Sequence, residues 1–201
     1  MAKALVIFLH GVGSNGADLA VLGQHWAPLL PEVAFAAPDA PFPFEHAMGY
    51  QWFSLTGITP NNRPARVRDA RAAFDETLHA VMAQHGMADA WHKVILVGFS
   101  QGSIMALDAL ASGRYPLAGV VAFSGRLSFD GALSPQPHVP ALLIHGRADD
   151  VIPFSESESA ARRLKAAGVT LEAHFETPTG HTISSQGAMQ AAAFIAQCLQ
   201  D

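Results

Sequence analysis

The stretch that most restricts what this chain can fold into is Lys93 to Ser103, Lys-Val-Ile-Leu-Val-Gly-Phe-Ser-Gln-Gly-Ser. Val94 to Val97 is an unbroken apolar run, which suits a strand buried on both faces of a parallel sheet. Ile104 to Ala111 follows with a helix-compatible pattern. Between them lies Gly98-Phe99-Ser100-Gln101-Gly102, the G-x-S-x-G pentapeptide of a nucleophile elbow. A strand that becomes a helix within two or three residues forces its central serine into a sparsely populated backbone conformation. The flanking positions must then be nearly free of side chain.

Apolar runs recur along the chain at Ala4–Leu9, Val33–Ala37, Val94–Val97, Gly119–Phe123 and Ala141–Ile144. Val169 to Glu176 differs in kind. Val169, Leu171, Ala173 and Phe175 alternate with Thr170, Glu172, His174 and Glu176, which predicts a strand with one wet face near a sheet edge. Helix signals fill most of the gaps. Pro64 fits a first turn, and Val67, Ala70, Phe74, Leu78, Val81 and Met82 recur at helical spacing up to His85-Gly86. Ser155 with Glu158 reads as a capping box for a helix whose last turn holds Arg162, Arg163 and Lys165 before Gly168. Strand and helix alternate, so the predicted class is α/β with a mainly parallel sheet, as one domain over residues 1–201.

Half the residues are apolar and 14% are charged, which excludes a disordered chain. A net charge of −5 leaves no basic stripe, so nucleic acid is not an expected partner. The apolar start stops at His10-Gly11, too short for a membrane span. Cys198, the single cysteine, has no internal disulfide partner and reads as a small buried hydrophobe in a terminal helix with Phe194, Ile195 and Leu199. A reducing, cytoplasmic location fits that count.

Two connections stand out. Pro38 to Asn62 is rich in proline and aromatics and too long for a plain connector. It reads equally as a wall of the substrate site, with Trp52 and Phe53 as lining residues alongside Ile152, or as a loop pinned to the core by its aromatics. Arg126 to Pro140 is too short for a lid domain, so an open site is expected.

A serine hydroxyl needs a histidine to take its proton and a carboxylate to hold that histidine's tautomer. On a sheet with an elbow the order along the chain is Ser, then Asp or Glu, then His. His138, His145, His174 and His181 follow Ser100. His138 and His145 leave few acids between themselves and the serine, and His174 falls on the polar side of the alternating strand. His181, in the turn-rich Pro178-Thr179-Gly180-His181-Thr182 after the last strand, is the preferred base. Asp149 and Asp150, just past Ala141–Ile144, are the candidate acids. An oxyanion would take backbone N–H groups from Gln101, after the serine, and from Val12 in the loop after the first strand.

Leu9-His10-Gly11, Pro38-Asp39-Ala40-Pro41, Gln51-Trp52-Phe53, Gly98-Phe99-Ser100-Gln101-Gly102, His145-Gly146-x-x-Asp149 with Val151-Ile152-Pro153, and Gly180-His181 together resemble the phospholipase/carboxylesterase family of α/β hydrolases. That resemblance runs through nearly the whole chain. It implies an α/β-hydrolase fold with helices on both faces of the sheet and no lid domain. It also implies a carboxylesterase, lysophospholipase or acyl-thioesterase acting on a small ester or thioester without a cofactor. A homodimer is compatible with it. It selects Asp149 over Asp150, giving Ser100, Asp149 and His181 as a triad. The chain departs from the family in Gln51-Trp52-Phe53-Ser54, where many members carry an acid in place of the serine. Only three residues precede the first apolar run, so the antiparallel strands that often open this fold are not expected.

Two rival readings compete. Gly11-Val12-Gly13-Ser14-Asn15-Gly16 is a literal G-x-G-x-x-G after a strand, with Asp39 at about the distance of a ribose-binding acid, which would suit a dinucleotide. The other is a catalytically silent binding module on the same fold.

Overall fold

The computed structural model describes residues 1–200. Six strands, β1 (Ala4–Leu9), β2 (Val33–Ala36), β5 (Val94–Phe99), β6 (Gly119–Phe123), β7 (Ala141–Gly146) and β8 (Leu171–Glu176), form one sheet in the order β2-β1-β5-β6-β7-β8. Every neighbouring pair is parallel. The all-parallel sheet accounts for the continuous apolar runs, because both of its faces are covered. Leu5, Ile7 and Leu9 of β1 join one core with residues of α2 (Arg63–Gln84), α3 (Gln101–Ser112) and α4 (Phe154–Ala166). Val6 and Phe8 join the other with α1 (Gly16–Trp26) and α5 (Ser185–Cys198). Each such side chain contributes roughly 1.5–3 kcal/mol on burial.

Strand order reverses between β1 and β5, the point at which ligands bind in sheets of this kind. The loops after these two strands, Gly11–Asn15 and Ser100, therefore stand side by side at the carboxyl edge. The strand predicted over Val169–Glu176 is β8, at the sheet edge as expected.

Three local features differ from the sequence reading or extend it. The Ser155/Glu158 capping box does not form: α4 begins at Phe154, after extended Pro153, and no side chain caps it. Proline suits that boundary, because its φ is fixed and its missing N–H would lack a partner there. Helix α1 is capped by Asn15, whose side chain accepts from Asp18 N–H. The Pro38–Asn62 connection holds a small antiparallel hairpin, β3 (Phe42–Pro43) with β4 (Tyr50–Gln51), tied to the β1 loop by a bridge between Ser14 and Tyr50.

Candidate active site

Ser100 stands between β5 and α3 with φ 55° and ψ −116°, the strained backbone a strand-to-helix corner imposes on a residue with a side chain. Its neighbours explain the two glycines. A Cβ at Gly102 would lie 1.9 Å from the Leu9 carbonyl oxygen, and one at Gly98 would lie 2.5 Å from the Ser103 nitrogen. Ser100 N–H donates to the Phe123 carbonyl at 3.0 Å, which fixes the corner against β6.

His181, in the loop between β8 and α5, brings Nε2 to 3.0 Å from Ser100 Oγ. Its Nδ1–H donates to Asp149 Oδ2 at 2.7 Å. The other carboxylate oxygen accepts from the backbone N–H of Val151 and Ile152, both at 2.9 Å. Burial opposes the Asp149 charge, but the bonds from His181, Ile152 and Val151 outweigh it and hold the carboxyl below its ordinary value. The carboxylate is thus kept as an acceptor. A hydroxyl, an imidazole and a carboxylate linked in this order can pass a proton from Ser100 to His181 while the ring's charged form is stabilised. Asp150, by contrast, is exposed.

A second imidazole faces the same carboxylate. His145, fully buried at the end of β7, has Nε2 3.2 Å from Asp149 Oδ2 and 2.7 Å from the Ile152 carbonyl, to which it donates. Its Nδ1 accepts from Ser157 Oγ at 2.6 Å. Burial is the main influence on the ring and keeps it neutral, with a pKa below the ordinary value despite the nearby acid. His145 thus braces the Asp149 turn from beneath. The few acids between Ser100 and His145 count against it as the base, but chain order does not search for what supports the acid.

A model of the Phospholipase/Carboxylesterase family matches residues 1–199. The chain belongs to that family. It is 34% identical over 188 residues to Esterase YpfH of Escherichia coli strain K12, covering 92% of this chain and 78% of that protein. Acyl-protein thioesterase 1 of Emericella nidulans is 28% identical over 188 residues, covering 83% and 77% respectively. Among solved structures, esterase PE8 superposes with a TM-score of 0.85 at 38% identity, covering 98% of this chain and 94% of that one. SOBER1 of Arabidopsis thaliana superposes at 0.80 with 26% identity, covering 98% and 100%.

In this member of the phospholipase/carboxylesterase family, the aromatic loop serves mainly to brace the site. Trp52 is 1% exposed, packs edge-on against Phe74 and donates Nε1–H to the His10 carbonyl at 2.9 Å. Phe53 and Ile152 are also buried in the core. None of the three lines the groove of about 620 Å³ that runs between α1 and α5 past Gly11, Phe99 and Thr182. The pinned-loop reading of Trp52 and Phe53 is the one their burial favours. Gln101 does the pinning from the elbow: its side-chain oxygen accepts from Trp52 N–H at 2.7 Å and its amide donates to the Phe53 carbonyl at 2.8 Å. The side chain after the nucleophile therefore has a structural task of its own. Ser54 donates to Glu45 Oε2 at 2.7 Å, which places a carboxylate beside it.

Val12 is half-buried in the loop beside the elbow, where a Cβ at Gly11 would lie 3.4 Å from Ser100 Cβ. His10 is buried and neutral, its pKa lowered mainly by burial. It donates from Nδ1 to the Gly11 carbonyl at 2.7 Å and accepts at Nε2 from Ala40 N–H at 2.9 Å, a structural role. Ser100 is 7% exposed and the His181 side chain 17% exposed. Among the described residues, no group of three or more His, Cys, Asp or Glu is placed to hold a metal ion. Among those residues, too, no helix is long and apolar enough to cross a membrane.

Proposed function

We propose that residues 1–201 form one hydrolase domain that cleaves carboxylic esters or thioesters through an acyl-enzyme on Ser100. The observation that carries this reading is the unbroken chain Ser100 Oγ, His181, Asp149, with 3.0 and 2.7 Å links. The names of the relatives, an esterase and an acyl-protein thioesterase, support the same reaction class. Ser100 Oγ attacks the acyl carbon as its proton passes to His181 Nε2. The carbonyl oxygen becomes an oxyanion, which we assign to the Val12 and Gln101 N–H groups; loss of one such donor typically costs about 10²–10³ in turnover. Collapse of the tetrahedral intermediate breaks the bond to the alcohol or thiol, which leaves with the proton from His181. Water then repeats the sequence on the acyl-enzyme and restores the serine. The groove between α1 and α5 supplies apolar room next to these atoms for part of a small substrate. A cytoplasmic location fits the single cysteine.

The test is hydrolysis of short-chain aryl esters together with labelling by a fluorophosphonate. Wild type is expected to do both, and Ser100→Ala to do neither while keeping its fold. Hydrolysis by a folded Ser100→Ala protein would discard the mechanism, and an inert wild type would favour a silent binding module.

A further inference from the structure

Past β6 the chain places an arginine beside the elbow. The Phe123 carbonyl accepts from Ser100 N–H and from Ser103 Oγ, at 3.0 and 2.7 Å. A Cβ at Gly125 would lie 2.5 Å from Ser103 Cβ. Arg126 follows Gly125, which stands against Ser103 in the first turn of α3, and it lies three residues past the Phe123 carbonyl that holds Ser100 N–H. The following residues run between α2 and α4. Phe129 lies under the Arg71 guanidinium, and its carbonyl accepts from Arg163, while Asp130 pairs with Arg68. Arg126 thus sits where α2 and α4 begin, and helices that follow parallel strands begin at the carboxyl edge that bears the catalytic residues.

Arg126 is half-buried, and its Nε is shielded from solvent with no hydrogen-bond partner among the described residues. Arg63, the first residue of α2, is its neighbour. Burial first and the charge of Arg126 second depress the Arg63 pKa, and Glu156 of α4 opposes them from too far for an ion pair. Among the described residues no carboxylate lies within ion-pair distance of Arg63 or Arg126. Elsewhere the chain pairs such groups: Arg71 and Arg114 converge on buried Asp108, at 2.7 and 2.9 Å, and Arg114 also holds Asp75. Two partly desolvated like charges are unfavourable unless an anion joins them. A guanidinium fork matches a carboxylate or a phosphate.

We propose that Arg126 and Arg63 form a subsite for an anionic group, a carboxylate or phosphate, carried by the ester substrate close to its scissile bond. This rests on the hydrolase reading above. It adds a specificity that reading does not require.

The experiment compares 4-nitrophenyl hemiglutarate, 4-nitrophenyl 4-phosphonobutanoate and neutral 4-nitrophenyl hexanoate with wild type, Arg126→Gln, Arg126→Lys and Arg63→Gln. Wild type should prefer at least one anionic ester by about tenfold in kcat/KM, the scale of a charge-assisted contact, with the preference shrinking as salt rises. Which anion wins separates carboxylate from phosphate. Arg126→Gln should lower the anionic-to-neutral ratio about tenfold, with Arg126→Lys intermediate and Arg63→Gln smaller. Should Arg126→Gln not fold, the ratio in Arg126→Lys and the salt dependence of wild type decide the matter. An unchanged ratio across the variants, or no anionic preference in wild type, overturns the subsite while leaving hydrolysis of the neutral ester to support the serine mechanism. Failure to cleave any of the three esters overturns both.

Discussion

Two glycine-rich corners stand next to each other on this sheet. One follows β1 at Gly11–Gly16 and the other follows β5 at Gly98–Gly102, and by sequence pattern each could serve a different chemistry. Their glycines meet the same kind of obstacle: a Cβ at Gly16 would lie 1.9 Å from the Ala37 carbonyl oxygen, as one at Gly102 would from that of Leu9. What differs is where the nearby acid is used. Asp39, the residue a dinucleotide reading would give to a ribose, accepts the Gly16 N–H at 2.8 Å and fastens the first corner to the end of β2. Asp149 is turned toward a histidine that reaches the serine of the second. A glycine motif reports tight backbone approach; the partners of the adjoining polar groups report chemistry.

The largest effect that would break this contrast comes from the acid. Asp149→Asn should lower kcat by about 10⁴-fold, the loss typical when the tautomer-holding carboxylate is removed, whereas exposed Asp150→Asn should change it less than about twofold. Esterase kinetics showing the reverse would reassign the role. Gly102→Ala and Gly16→Ala each force a Cβ into a carbonyl and should destabilise by about 3 kcal/mol or more in denaturant titration. A neutral outcome at Gly102 would mean the elbow has more room than its geometry implies. His145→Gln should cost about 1–3 kcal/mol by leaving the Ser157 hydroxyl or the Ile152 carbonyl unpaired, and should lower kcat more than it alters KM. Asp39→Ala should cost about 1 kcal/mol, as loss of a cap-like acceptor does, and nicotinamide dinucleotide should leave the melting temperature unchanged. A clear rise in that temperature on adding dinucleotide would revive the rival reading.

Acid should weaken the fold. His10 and His145 are held neutral by burial, so below the ordinary histidine pKa the unfolded chain takes up protons that the native one refuses. Asp149, held charged below the ordinary carboxylate value, adds to the loss only at lower pH, as its carboxyl protonates. Stability measured by denaturant titration should therefore be full above about pH 7 and decline below about pH 6.5, with a further decline below about pH 4. A flat profile between pH 7 and 5 would contradict the neutrality of both rings.

Much of the frame was legible because each strand of a doubly covered sheet is an unbroken apolar run, and the order Ser, Asp, His, with the family resemblance choosing Asp149 over Asp150, selected three residues that the fold brings together. Other parts lacked a signal of that kind. Strands of two residues, such as Phe42–Pro43, carry no periodicity. The aromatics of Pro38–Asn62 announce burial but not whether the burial faces substrate or core, and Trp52 chose the core. Arg126 gave no sign in the sequence, because an unpaired cation is recognised only once the partners of every other arginine are known.

One oxygen of Asp149 serves two rings, His181 outside and His145 beneath it. A positive charge on the outer ring further discourages one on the inner, so the pair has a single parking place for a mobile proton. The inner ring acts as a bolt that leaves that place at His181, the ring that reaches Ser100.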